Sequence, residues 1–409
     1  MPNPSRDAHR DASEREASER HASERDQSER DQSERDPSGP DDEPAPDQAG
    51  SGKRPDMVTI ADVARHAGVA VSTVSYVLSG KRAISASTRE RVLVSVRALG
   101  YHPNAGARAL ASRRSNVIAL VLPLRSGMHL PVLMQFATAV VTTARQFDHD
   151  VLLVTADEGP AGLRRIAASA MVDGIVLMDV EMHDDRVPLL QELARPSVLI
   201  GFPADPAGLT CVDLDFYRAG QACVEHLAGL GHRRIALLGA PAVVYDRDTG
   251  FAHRTRAGFT ETAREHGIAA VAQPCEENFD AVRHELAGLL ERHPDLSGLV
   301  VHNEAAVGQV LAALPALGRV VPEDVSVVAI CPDEVAERAS PALTSVLIPA
   351  EEVGRQAVSL LMRKLEGEAV PDATLLDPRL TLRASTAPPV TSIKGRTTWH
   401  RTDKTPVRP

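Results

Sequence analysis

Aromatic residues are scarce. They make up 3% of the chain, so Ala and Val must carry much of the packing, and a pocket built on ring stacking is not expected. Cysteine is scarce as well. Cys211, Cys223, Cys275 and Cys331 are scattered with no CxxC pair, which argues against a disulfide framework or a zinc site and for reduced thiols in a cytosol. No stretch approaches about 18 apolar residues in a row, and the N-terminus has no apolar signal core. A cytoplasmic chain is expected, with no membrane partner and no secretion to a periplasm. Catalytic signatures are missing too: no GxGxxG follows a strand, and there is no Walker, GxSxG or HExxH sequence. Histidines such as His226, His232, His253, His266, His284 and His293 lie in charged surroundings, where solvation is the default. An enzyme is not expected, nor a cofactor or metal.

The first 56 residues lack apolar side chains almost entirely. DASER, EASER, HASER, DQSER and DQSER repeat with period five from Asp11 to Arg35, and a Pro/Gly/Asp-rich stretch follows to Pro55. Period five matches neither helix nor strand, and such a segment cannot offset the entropy of ordering. Residues 1–56 read as a disordered tail.

What is present begins at Val58. The 409 residues allow two or three domains of roughly 100–200 residues each, and 43% apolar content supports sizeable cores. The net charge of −10 argues against a chain that coats nucleic acid uniformly. From Met57 to Asn116, however, nine Lys/Arg stand against two Asp/Glu, a local balance of +7. A basic headpiece on an acidic body is the pattern.

Within that window Thr59 can cap a helix with Ile60, Val63, Ala64 and Ala67 on one face. Gly68 supplies the left-handed residue that a tight helix–helix turn needs. A second helix, 71–78, turns Val74, Val77 and Leu78 inward. Val71, Ser72, Ser75 and Tyr76 are left outward, near the N-terminus that a recognition helix presents to base edges. Gly80 ends it. Ser85 or Ser87 starts a third helix with Val92, Val96 and Leu99 inward and Gly100 beyond its end. On these residues alone a helical bundle fits equally well. Tyr101-His102-Pro103-Asn104 then breaks the chain, and Asn104 can cap a short helix over 105–112 made of small residues with one large one, Leu110. Small side chains let a backbone approach a groove, and one apolar wedge can kink DNA. An Ala-rich linker helix with an exposed Leu is the other reading.

The stretch VTIADVARHAGVAVSTVSYVLSGK, followed by TRERV and LGYHPNAGARAL, resembles the lac repressor/galactose repressor (LacI/GalR) family of bacterial transcriptional regulators, and the similarity continues to about Thr386. The resemblance implies a helix-turn-helix headpiece, a hinge helix that orders on the operator, and a core like a periplasmic sugar-binding protein. By position it places Val71, Ser72 and Tyr76 against bases. It places Thr59, Ser75, Ser85, Thr88, Tyr101 and Asn104 at phosphates, and Ala107 and Leu110 in the minor groove. Many members carry Arg where this chain has Tyr76. Arg reads guanine with two bonds, whereas Tyr offers one hydroxyl and a ring, so the half-site differs from that of better-known relatives.

From Asn116 short apolar runs alternate with amphipathic helices. Strands are expected over 117–122, 151–155, 174–178, 198–201, 235–239, 299–302 and 325–330. Helices are expected over 131–147, 160–170, 184–194, 217–230, 249–266, 280–292 and 304–317. Continuous Val/Ile/Leu runs suit parallel strands buried on both faces, and the alternation gives α/β with right-handed crossovers. There are more strands than one modest sheet needs. The fold expected is an α/β core of two doubly wound parallel-sheet lobes, periplasmic-binding-protein-like, behind an all-α helix-turn-helix headpiece. The lobes should exchange chain near Asp215, Leu347 and Pro371. The divisions are tail 1–56, headpiece 57–103, hinge 104–115, core 116–387 and a loose C-terminal tail 388–409.

Ligands of open α/β sheets sit beyond the carboxyl ends of strands, here 123–125, 155–158, Asp179, 201–203, 213–215, 240–245, 303–304 and 331–333. The resemblance assigns effector contacts to Asn303, with Glu304 where the family often has Asp. The family's arginine ahead of Gly258-Phe259 falls on Thr255, and Arg254 beside it takes the role. The family's sugar-gripping aspartate falls on Cys331, leaving Asp333 two residues on. With that carboxylate lost, the alternatives to a sugar effector are a non-sugar, a phosphorylated metabolite gripped by Arg, or no effector at all. The function expected is a homodimeric regulator, a repressor, on a pseudo-palindromic double-stranded DNA operator, modulated by a small molecule in the inter-lobe cleft. The alternative is a sugar-like small-molecule binder without effective DNA binding.

Overall fold

The computed structural model describes residues 58–80, 82–101, 114–169, 171–193, 195–206 and 208–390. The hinge positions Asn104, Ala107 and Leu110, and both expected tails apart from 388–390, lie outside the described residues. Two units are distinguished, Met1–Tyr101 and His102–Pro409.

In the first unit α1 (Ile60–Ala67), α2 (Val71–Ser79) and α3 (Ala86–Leu99) pack around Val63, Val74 and Val92, all fully buried. The ends are chemically specified. The Thr59 side chain accepts from the Asp62 amide while the Asp62 carboxylate accepts from the Thr59 amide at 2.9 Å, a reciprocal capping box. Gly68 ends α1 at φ 64°, a left-handed conformation that a side chain disfavours. Ser85 caps α3 through the Thr88 amide. Ser95, buried between helices, is satisfied by the Arg91 carbonyl at 2.8 Å and by His66 Nδ1 at 3.0 Å.

The second unit holds two sheets. In chain order its elements are β1 (Val117–Val121), α4 (Leu130–Gln146), β2 (Asp150–Val154), α5 (Gly159–Ala168), β3 (Gly174–Leu177), α6 (Arg186–Glu192), β4 (Ser197–Ile200), β5 (Thr210–Leu214), α7 (Phe216–Gly229), β6 (Arg234–Gly239), α8 (Ala242–Asp246), α9 (Gly250–Glu265), β7 (Ala269–Pro274), α10 (Phe279–Arg292), β8 (Gly298–Val301), α11 (Val307–Ala316), β9 (Ser326–Cys331), α12 (Asp333–Arg338), β10 (Thr344–Leu347), α13 (Ala350–Leu365), β11 (Ala373–Leu376) and β12 (Leu380–Thr381). The first sheet runs β11-β5-β4-β3-β1-β2 and the second β12-β10-β9-β8-β6-β7. All pairings are parallel except β10 with β12. Each lobe has the same winding, with the order reversing beside its first strand. The reversals fall between β1 and β3 and between β6 and β8. A crevice beyond the strand ends opens at each such switch point.

The fully buried runs of β3, β4, β8 and β9 match the continuous apolar stretches of the sequence. Other elements depart from the pattern. Strands β5, β7, β10, β11 and β12 and helices α8, α12 and α13 are additional to those expected. Strand β7 is a half-exposed edge ending in Pro274, and β5 carries Asp213 one residue before its end. Helix α13 returns to the first lobe, where it packs on α4 and behind β3, β4 and β5. The lobes exchange chain around Asp215 and between Leu347 and Ala350, as expected. The third exchange lies between Leu376 and Leu380 instead of near Pro371, because the chain first adds β11 to the edge of β5. All four cysteines are free and buried. Among the described residues no helix is long and apolar enough to cross a membrane.

Candidate nucleic-acid interface and ligand cleft

The outward face of α2 is open to solvent. Val71 is 45% and Tyr76 37% exposed, while Val74 and Val77 one step round the helix are buried. Ser72 and Ser75 are exposed between them. A side chain that the sequence reading did not single out joins this face. The Arg82 guanidinium lies 5.7 Å from the centre of the Tyr76 ring, a cation–π distance that parks a positive charge beside the outward tyrosine. Six positions separate the two residues and Gly80 turns the chain between them, which no helical spacing reveals.

The other headpiece positions are bound up in structure. The Thr59 hydroxyl donates to Asp62 at 2.7 Å, and Ser85 Oγ donates to Thr88 Oγ1 at 2.9 Å. Hydrogen bonds and the Asp62 charge compensation by Arg65 hold the Asp62 carboxyl below its ordinary value, the Thr59 hydroxyl contributing most. Tyr101 is 8% exposed and packs in the three-helix core. A ring placed there anchors the end of α3.

In the second unit a cleft with a cavity volume of about 120 Å³ lies between the lobes. The first lobe contributes Phe136, Asp179 and Asp213; the second contributes Arg247, Glu277, His302, Asn303 and Glu304. Four of these, Asp179, Asp213, Asn303 and Glu304, sit where the strand-end argument pointed. Asn303 is buried, donates to the Cys275 carbonyl at 2.7 Å and accepts from the Ala306 amide at 3.2 Å.

Two assigned effector residues are not brought to the cleft. Arg254 donates to the Phe202 and Pro203 carbonyls at 2.6 and 3.0 Å, tying α9 to the opposite lobe. Thr255, at the family's arginine position, is fully buried and bonds the Phe251 carbonyl. Asp333 starts α12 and pairs with Arg383 at 2.9 Å, and Cys331 is sealed within the β-sheet core. The expectation of no stacking pocket also needs correction. Phe216 stacks on His302 with centroids 5.4 Å apart and 26° between planes, and Phe251 meets the same imidazole edge-on at 5.5 Å. Few aromatics suffice because the fold gathers three rings from α7, α9 and the end of β8.

The cleft's electrostatics are uneven. Arg125 reaches Asp157, Asp179 and Glu181 at 2.8, 3.1 and 2.6 Å. Burial disfavours the Asp179 charge and raises its pKa, with Arg125 opposing that rise. Burial pushes Asp213 up to about 7 and Glu304 up to about 7. It also pushes His302 down to about 4, so this imidazole is neutral near pH 7. His302 Nδ1 and Arg247 Nε and Nη2 are buried without a hydrogen-bond partner, which leaves donors or acceptors for a guest. Arg247 Nη1 donates across the lobes to the Ser126 carbonyl at 2.7 Å.

Residues 59–104 match the bacterial regulatory proteins of the lacI family, and residues 224–386 match the periplasmic binding protein-like domain. The HTH-type transcriptional regulator CelR of Thermobifida fusca is 31% identical over 348 residues, covering 80% of this chain and 98% of that protein. This chain belongs to the lacI family. It is a DNA-binding transcriptional regulator, and it matches the regulator CelR over nearly all of that protein's length. Among solved structures, the CelR–cellobiose complex is 29% identical, covers 80% of this chain and 99% of its own, and superposes with a TM-score of 0.59. The Lac repressor dimer bound to operator and the anti-inducer ONPF is 24% identical, covers 81% and 99%, and gives 0.70, a likeness of fold.

Proposed function

We propose that this lacI-family member is a cytoplasmic homodimeric repressor. Each headpiece reads one half of a pseudo-palindromic operator, and a small molecule in the inter-lobe cleft sets its DNA affinity. The observation that carries the reading is the open face of α2. Val71, Ser72 and Tyr76 meet base edges there, with Arg82 alongside, and Ser75, Thr59, Ser85, Thr88, Tyr101 and Asn104 position phosphates. Leu110, with Ala107 beside it, enters the minor groove at the operator centre. A guest that binds both lobes favours one lobe arrangement, and DNA affinity shifts only by its differential affinity for the two arrangements. The cellobiose in the CelR complex makes a small polar molecule the natural size class, with Asn303 and Glu304 among its contacts. In this reading Arg254 and Asp333 support the cleft from outside it.

The test is fluorescence anisotropy of the purified protein on a palindromic fragment drawn from its own genome, titrated across salt concentrations. Two chains per duplex and a steep log–log salt dependence are expected, since each neutralised phosphate adds about 0.9 to the slope. One chain per duplex, or affinity indifferent to salt, refutes the reading and favours a small-molecule binder without effective DNA binding.

A further inference from the structure

The cleft is lined by more carboxyls than arginines or lysines: Asp179, Asp213, Glu277 and Glu304 against Arg247. Asp179 has Arg125 at 3.1 Å, but among the described residues Asp213 and Glu304 take part in no ion pair. They come from opposite lobes, Asp213 from β5 and Glu304 from the turn after β8, and both line the same cavity. Asp213 is 8% exposed and its one hydrogen bond comes from the Leu214 amide at 2.9 Å. The wall beside them is aromatic: Phe216 and Phe251 flank His302, whose buried Nδ1 has no partner. The cavity's positive group, Arg247, is engaged with the Ser126 carbonyl and lies toward Asp157 and Asp179.

We propose that the cleft takes an organic ammonium, a protonated amine on an apolar body, with Asp213 and Glu304 gripping the charged head and Phe216 and Phe251 the body. An ammonium brings one positive charge and three donors to carboxylates that make no ion pair; the Arg254 charge reaches Asp213, but its guanidinium is spent on the Phe202 and Pro203 carbonyls. Aromatic faces attract a cation when it is desolvated. The neutral His302 does not repel it. Because the two carboxylates belong to different lobes, one cation drawing on both favours the closed arrangement. The inference rests on the effector reading above and names the class of effector.

Affinity should rise with pH. Around Asp213 stand Arg254, Asp215 and Cys211; around Glu304 stand Glu277 and Cys331. Burial, opposed at Asp213 by Arg254, leaves both carboxyls protonated in part near neutrality, and an ammonium must displace those protons, so binding strengthens from pH 6 to pH 8.

The experiment is isothermal calorimetry of the full chain with three probes: 2-phenylethylamine, its neutral isostere 2-phenylethanol, and cellobiose. The amine is expected to bind at least tenfold more tightly than the alcohol, and more tightly at pH 8 than at pH 6. Asp213→Asn and Glu304→Gln should each weaken the amine by at least tenfold and leave the alcohol unchanged. Equal affinity for amine and alcohol, no amine binding, or amine binding indifferent to both substitutions overturns the proposal. Operator affinity measured beside each titration separates the two levels. Cellobiose binding that shifts operator affinity while the amine does not bind overturns the ammonium class and keeps the effector reading. Amine binding with the expected pattern and unchanged operator affinity supports the site and overturns the coupling.

Discussion

Replacing Asp213 with Asn should stabilise the second unit at alkaline pH. The carboxyl is nine-tenths buried and burial lifts it to about 7, against about 3.9 in an unfolded chain. Between those values the folded state keeps a proton that the unfolded chain has released. Stability therefore falls as pH rises through that window, by at most about 1.4 kcal/mol per pH unit. Over about three units the ceiling is about 4 kcal/mol. Water entering an open cleft brings the expected figure to about 2 kcal/mol. Asn cannot ionise, and its carbonyl can still accept from the Leu214 amide. At pH 8 the variant should melt about 4–8 °C above the parent, and near pH 4 the two should coincide. The assay is thermal unfolding followed by circular dichroism from pH 4 to pH 8.5. A variant that melts with or below the parent at pH 8 refutes the account of Asp213 as a buried carboxyl that makes no ion pair. The same substitution should weaken the ammonium probe, so stability gained and affinity lost would come from one group.

Other consequences are local. Tyr76→Ala should change the base preference of each half-site in a selection experiment and leave the melting of the headpiece within about 0.5 kcal/mol, since the side chain is exposed; an unchanged preference would move Tyr76 to a phosphate or packing role. Val74→Ala, by contrast, removes two fully buried methyl groups and should cost the three-helix unit about 2–3 kcal/mol in chemical denaturation, with operator affinity falling in step; a cost under about 0.5 kcal/mol would contradict the packing described. Leu110→Ala should lose specific operator affinity and retain salt-dependent nonspecific binding, and parent-like operator binding would remove the wedge assignment.

Much of this molecule is legible in its sequence where signals are local. Thr59, Gly68, Ser85 and Gly100 mark helix ends by chemistry confined to a few neighbours, and the apolar runs of β3, β4, β8 and β9 can only be buried on both faces. Where tertiary context decides, the sequence is silent. Strand β5 is a case in point, since the carboxyl of Asp213 interrupts its apolar run and is also what makes the cleft acidic. A residue that breaks a local rule at a strand end marks a place where function and fold compete. Arg247 follows a five-residue helix with no motif around it, and Phe216, Phe251 and His302, far apart in sequence, meet only because α7, α9 and the end of β8 pack together within the second lobe. Scarcity of aromatics across the chain says nothing about their concentration at one point. Arg254 shows the converse, one position from the family's arginine and yet with a guanidinium committed to two backbone carbonyls of the other lobe.

The central claim is that α2 reads specific bases on behalf of a homodimer. The most direct measurement is selection of bound fragments from the genome by the purified full chain at moderate salt, with sequencing of what is retained. The account predicts enrichment of a pseudo-palindrome with a flexible pyrimidine–purine step at its centre, and loss of that enrichment when Val71 and Ser72 are both replaced by Ala. Retention of fragments without any shared sequence, unchanged by that double substitution, would contradict it.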